Sequence, residues 1–322
     1  MDWFCEGKAL YENEIQNLVM SGEYLKLTQN CEEGYLVTPV IEVPKFTQIS
    51  PSWNSKTTSD SSIELLVRIK IGENWTGYIS YGIWSTDGNN IGIDKEQSDD
   101  LVKVTVDRIF VSNDKYAEAV QLKVIFRGNG SKLRLISFTT DSGEEEDVED
   151  NYLQIIDNVP RISQIASGHK DSHSICSPTS VTMILKYYGV PVELNDVTNG
   201  TFDTGSKLYG NWPQNCAYAG EQGMRAYTKK CTSINVVKNF IARGIPVVAS
   251  VVSKEKEALD GSISAFPSGH LMVVVGFTIN EGVEYIVVND PAANSDEEVR
   301  KEYKLDQWIN VWRHYIYVIT KY

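Results

Sequence analysis

Two stretches of this 322-residue chain hold residue types that together can carry out acyl-transfer chemistry. Cys176 precedes Ser177 and Pro178, which suit the cap and the first position of a helix. A thiol at a helix start feels the positive end of the helix dipole, which favours thiolate and lowers the pKa from about 8.5 toward the reactive range. His270 opens the apolar run Leu271-Met-Val-Val-Val-Gly-Phe, and the next run, Tyr285-Ile-Val-Val-Asn, ends at Asp290. Residues 279–283 carry turn formers, so the two runs make a hairpin. Opposed residue numbers in an antiparallel pair sum to a constant, about 561 if the turn centres between Asn280 and Glu281. His270 then faces the neighbourhood of Asp290 and Pro291, where a carboxylate fixes its tautomer and stabilises the imidazolium. Spacing alone does not bring Cys176 to this pair.

The elements that must position these groups follow from periodicity. Residues 178–188 are helical, since Val181, Ile184, Leu185 and Tyr188 form one apolar stripe, Gly189 closes the helix and Pro191 prevents continuation. A short helix over 235–243 stops at Gly244 before a buried strand over 245–251. Strands over 270–277 and 284–289, a helix over 305–311 and a strand over 315–319 follow. Residues 153–322 thus read as an α+β domain, a leading helix packed on a mostly antiparallel sheet.

Earlier in the chain the apolar period is two. Ile63, Leu65, Val67, Ile69 and Ile71 alternate with polar neighbours, as do Val102, Val104 and Val106, and Val120, Leu122, Val124 and Phe126. With residues 24–28, 35–43, 78–84 and 133–139 this makes about seven strands and predicts an antiparallel β-sandwich over residues 1–140. Residues 50–62, rich in Ser and Thr, read as a surface loop. Trp3, Trp53, Trp75 and Trp84 fall in this half and read as core in preference to a sugar-binding face. Between the halves, residues 141–150 hold seven acidic and no basic residues, so 141–152 read as a solvated acidic linker.

The whole chain carries 30 basic and 43 acidic residues, a net charge of −13, and so lacks the basic footprint of a nucleic-acid binder. No apolar stretch approaches the roughly 20 residues of a membrane span. Five cysteines without C-x-x-C spacing argue for free thiols.

Gln164, Cys176-Ser-Pro-Thr-Ser, Gly269-His-Leu-Met and Val288-Asn-Asp-Pro-Ala, in that chain order, resemble the C39-like cysteine peptidases of the papain-like superfamily. Gly210-Asn-Trp-Pro-Gln-Asn and Gly244-Ile-Pro-Val-Val-Ala-Ser add to a resemblance that covers roughly residues 157–320. Residues 24–140 resemble the sandwich domain that accompanies such peptidases in many bacterial members. The resemblance implies that Cys176 is the nucleophile, His270 its acid–base partner and Asp290 the orienting carboxylate. Gln164 and the Cys176 backbone N–H would form the oxyanion hole, and Trp212, Asn215 and Gly269 would line the substrate groove. The implied partner is a peptide or peptide-like substrate, with glycan or cell-wall contact through the sandwich domain, and neither metal nor cofactor. Ser177 stands where many members have Gly, and Ile175 where an aromatic is frequent.

Three rivals use the same residues. His169, His173 and Cys176 form H-x3-H-x2-C, a zinc pattern only if residues 169–173 were helical, and their polar, Gly-flanked context reads as loop. A silent binding module or an acyl transferase would keep the fold and change the outcome. The start at Met1 suits the cytoplasm, whereas a sandwich paired with a peptidase suits an exported bacterial enzyme whose signal was removed.

Overall fold

The computed structural model describes residues 1–86, 90–145, 147–148 and 152–322. These divide into two compact units. Residues 1–143, 200–229 and 322 make up the first, and residues 144–199 and 230–321 the second. The segment 200–229, part of the second domain in the sequence reading, packs with the first unit. Of the acidic stretch read as a linker, residues 146 and 149–151 lie outside the described residues. No helix among the described residues is long and apolar enough to cross a membrane.

The first unit contains two seven-stranded antiparallel sheets. Strand Ser62–Ile71 shows the period-two signal as burial, with Ile63, Leu65, Val67, Ile69 and Ile71 all inside, and it pairs along its length with Ala117–Arg127. The run over 35–43 is two strands, Glu33–Val37 and Ile41–Phe46. Pro39 lies in the break, and proline offers no N–H to a ladder. Of the tryptophans, Trp53 and Trp84 are core. Trp3 stacks on Phe138 with centroids 5.5 Å apart, and half-buried Trp75 lies under the Arg68 guanidinium.

The loop expected over residues 50–62 is largely a strand. Gln48–Lys56 lies inside its sheet, between Ile109–Val111 and Lys132–Thr140, with Ile49 through Ser55 buried. Its Ser-rich composition looks like loop only while its partners are invisible. Ser50 and Ser52 hydroxyls bond the Thr228 hydroxyl at 3.2 and 3.0 Å. The Asn54 amide donates to Ala226 O at 2.7 Å and accepts from Ala226 N at 3.0 Å. Buried polar groups paired in this way cost little.

The second unit holds an antiparallel sheet in the order Trp312–Thr320, Val247–Ser253, Phe266–Asn280, Val283–Asn289, Arg300–Lys304. Helix Cys176–Tyr187 packs against its middle strand, Phe266–Asn280. The helix begins two residues before the expected start, with Ile175 at the N-cap and no side-chain cap. Ser177 therefore does not cap; its hydroxyl is bonded to the Tyr317 hydroxyl at 3.0 Å. Nor is one stripe buried: every residue from Ser177 to Leu185 is inside. The hydroxyls on the polar side reach Ile175 O from Thr179, Leu271 O from Ser180 and Pro178 O from Thr182. A helix enclosed on all sides requires such pairing. Helices Ile234–Ala242 and Leu305–Val311 lie close to where periodicity puts them. Strand Arg300–Lys304 was not foreseen, because Arg-Lys-Glu-Tyr-Lys is charged, as befits a sheet edge.

Candidate active site

The Phe266–Asn280 strand turns back at Glu281 and Gly282, whose φ of 50° and 80° form the two-residue turn that matches strand twist. The turn is centred one residue later than expected, so Ile279 opposes Glu284. A bulge between Val274 and Gly276 then removes one step, and Val274 opposes Val288. Gly276 is required at this bulge, since a Cβ there would come within 2.4 Å of Gln154 O. Residues 270, 272 and 274 share one face with 286, 288 and 290. His270 and Asp290 accordingly meet, with Nε2 2.7 Å from Oδ1.

The pair is enclosed. His270 is 3 % exposed and Asp290 0 %. Asp290 Oδ1 also accepts from Ala292 N at 2.9 Å, and Oδ2 accepts from the Tyr303 hydroxyl at 3.2 Å. The Phe266 ring stacks on the imidazole, centroids 4.1 Å apart and planes 10° from parallel. Cys176, the first residue of its helix and partly exposed, lies close enough for the charge of His270 and the Leu271 N–H to act on its thiol. With Nε2 committed to Asp290, the other ring nitrogen, Nδ1, is the one left for the thiol.

These contacts set the protonation states. Burial works against the imidazolium, but the charges of Asp290 and Cys176 and the hydrogen bonds to both outweigh it and push His270 up to about 10. Burial likewise opposes the thiolate, yet His270 and the Leu271 N–H hold the Cys176 thiol below its ordinary value. Burial raises Asp290 too, and His270, Ala292 and Tyr303 together bring it below the usual carboxylate range. Cys216 is the internal contrast: burial alone drives its thiol well above the ordinary range. All three shifts favour the thiolate, imidazolium and carboxylate forms over their neutral counterparts, the direction a nucleophilic cysteine needs.

Gln164 is 3 % exposed. Its backbone N–H donates to Pro291 O at 2.8 Å, tying its loop to the residue after Asp290. Its Oε1 is buried without a partner, and the amide makes no hydrogen bond among the described residues. Gly269, beside His270, has φ of 104°, and a Cβ on it would lie 3.2 Å from the Arg313 guanidinium. Trp212 and Asn215 lie in the first unit, on helix Trp212–Glu221. Both are buried there. Trp212 N donates to Asp107 at 2.8 Å, and the Asn215 amide donates to Tyr209 O and Asn211 O. Their visible work is to hold that unit together.

The zinc spacing is not realised. Residues 169–173 are turns, His169 Nδ1 accepts from Asp171 N at 3.0 Å, and His173 is exposed. Among the described residues no three His, Cys, Asp or Glu side chains are grouped as metal ligands. Sequence reasoning missed Phe266 and Tyr303, which carry no motif; only the strand that bears Tyr303, had it been recognised, could have pointed to it.

The second unit thus holds a buried helix that starts at a cysteine and packs on an antiparallel sheet bearing a His–Asp pair. Residues 156–319 match the model of the Peptidase C39 like family, and residues 13–136 match one described as the Peptidase C39 N-terminal domain. The chain belongs to the Peptidase C39 like family. Similar solved structures include a double glycine motif protease from an AMS/PCAT transporter in complex with the leader peptide, 16% identical with a TM-score of 0.36, covering 54% of this chain and 97% of that one. The peptidase domain of Streptococcus ComA, a bifunctional ABC transporter, is 12% identical with a TM-score of 0.37, over 51% of this chain and 100% of the other. Digestive procathepsin L 3 of Tenebrio molitor is 10% identical with a TM-score of 0.38, over 55% and 73%. No curated protein matches the sequence.

Proposed function

We propose that the chain is a cysteine peptidase that hydrolyses a peptide or amide bond through an acyl-enzyme on Cys176. The observation that carries this reading is the enclosed His270, bonded to Asp290 at 2.7 Å and near enough to Cys176 for each to favour the other's charged form. The Cys176 thiolate attacks the carbonyl carbon, forming a C–S bond and an oxyanion. The Cys176 backbone N–H has no carbonyl four residues back within its helix, and the Gln164 side chain makes no hydrogen bond among the described residues. These two donors are suited to receive that oxyanion, a donor of this kind being worth ~3 kcal/mol of barrier. As the tetrahedral intermediate collapses, the C–N bond breaks and the His270 imidazolium gives its Nδ1 proton to the leaving amine. The neutral imidazole then takes a proton from water, whose oxygen attacks the thioester; the acid leaves, and thiolate and imidazolium are restored.

The N-terminal unit serves this reading as an accessory module that presents substrate. A pooled fluorogenic peptide library, incubated with wild type and Cys176→Ala, tests it. Cleavage by the wild type alone supports hydrolysis. Peptide joining without net hydrolysis would replace hydrolysis by acyl transfer, and no turnover by either protein would favour a silent binding module.

A further inference from the structure

Asp290 is held by more than the histidine it orients. Its Oδ1 is shared between His270 Nε2 and Ala292 N, and without a third donor the carboxylate could turn about its Cβ–Cγ bond out of line with the imidazole. Tyr303 supplies that donor. It stands on edge strand Arg300–Lys304 opposite Ile286, on the face that bears Asp290 and His270. Its ring is 1 % exposed and its hydroxyl lies 3.2 Å from Oδ2. A buried phenol beside a carboxylate stays neutral, so it remains a donor throughout the working range. The titratable groups that bear on His270 are Cys176 from the helix and Asp290 from the turn after Asn289. Tyr303 reaches it only through Asp290.

We propose that Tyr303 is a positioning residue of the active site, whose hydroxyl holds the Asp290 carboxylate in line with His270 so that the imidazolium is retained. The proposal rests on the cysteine-peptidase reading for its consequence in turnover, but its physical content is a property of the His270–Asp290 pair. A carboxylate free to turn out of line with the imidazole stabilises the imidazolium less, and the expected loss of proton affinity is about tenfold.

The test replaces Tyr303 by Phe, which keeps the ring, and by Leu, which keeps neither ring nor hydroxyl. The His270 imidazole is titrated by NMR in the intact protein, its signal assigned with His270→Asn. Expected is a midpoint about one pH unit below wild type in both variants. Also expected is a roughly tenfold lower kcat/KM, carried by kcat with KM unchanged. In an Asp290→Asn background, Tyr303→Phe should add almost nothing. A Phe variant with the wild-type midpoint overturns the proposal, as does a change that follows ring size, present in Leu and absent in Phe. Lowered midpoints in a protein that cleaves no peptide would leave the positioning role standing and refute the peptidase reading alone.

Discussion

Replacing Asp290 by Asn removes one charge and little else, so its consequence can be worked from the structure. The carboxylate is 0 % exposed and accepts from His270, Ala292 and the Tyr303 hydroxyl. An asparagine can present its carbonyl to His270 and Ala292, while the phenol, which can also accept, turns toward the amide nitrogen. Shape and hydrogen-bond count survive; the counter-charge of the imidazolium does not. A hydrogen bond to a charged group is worth about 1.5–3 kcal/mol, and 1.36 kcal/mol is tenfold. The kcat/KM of Asp290→Asn should therefore fall roughly 10- to 150-fold. Because Asp290 supports His270 at about 10, the basic limb of the pH profile should also move down by one to two pH units. KM should stay within about twofold, since Asp290 acts behind His270. Asp290→Ala, which leaves a buried cation without a partner, should cost more than Asn. The assay is kcat/KM from pH 5 to 10.5 on the best peptide from the library. An Asn variant with the wild-type rate and the wild-type basic limb would refute the reasoning.

Gln164→Ala should lower kcat by about 10²–10³ with the thiol still reactive toward alkylation, because it removes an oxyanion donor and leaves the ion pair untouched; equal loss of alkylation would contradict that division of labour. Gly269→Ala should destabilise the protein by about 1–3 kcal/mol in urea melts, since an L side chain must adopt φ of 104° beside the Arg313 guanidinium. The ion pair also shapes stability against pH. His270 is raised in the folded state, so its contribution is complete below about 6.5 and is lost as pH rises through about 10. Cys176 is lowered, so its contribution is present above its unfolded value and is lost as pH falls through the folded one. In the range between the unfolded His and Cys values the two changes oppose each other, so the stability of the wild type should vary less with pH than that of a variant with only one of the pair. Cys176→Ala leaves only the histidine, and its stability should decline steadily above pH 6.5, as read by chemical denaturation at each pH.

The site was more legible than the ground it stands on. Cys176, His270 and Asp290 announce themselves through a helix start and a hairpin, both local signals, and the register error of one residue at Glu281 was partly cancelled by the bulge before Gly276. What failed depended on partners distant in sequence. Gln48–Lys56 reads as loop because Ser50, Ser52 and Asn54 find Thr228 and Ala226 only in the folded chain. Ser177 has the chemistry of a cap and spends its hydroxyl on Tyr317. Tyr303 was hidden in a charged edge strand, where composition signals solvent and says nothing of one residue turned inward.

The central claim is that Cys176 rests as a thiolate held by His270, and the rate of Cys176 alkylation by iodoacetamide from pH 4 to 10 tests it most directly. The rate is read by peptide mass spectrometry in wild type and His270→Ala, with Cys216 as the internal standard. In wild type, reactivity should persist below about pH 6, and in the variant it should fall away toward an ordinary thiol midpoint near about 8.5. A single midpoint near about 8.5 in both proteins would contradict the ion pair, and the catalytic assignment would fall with it.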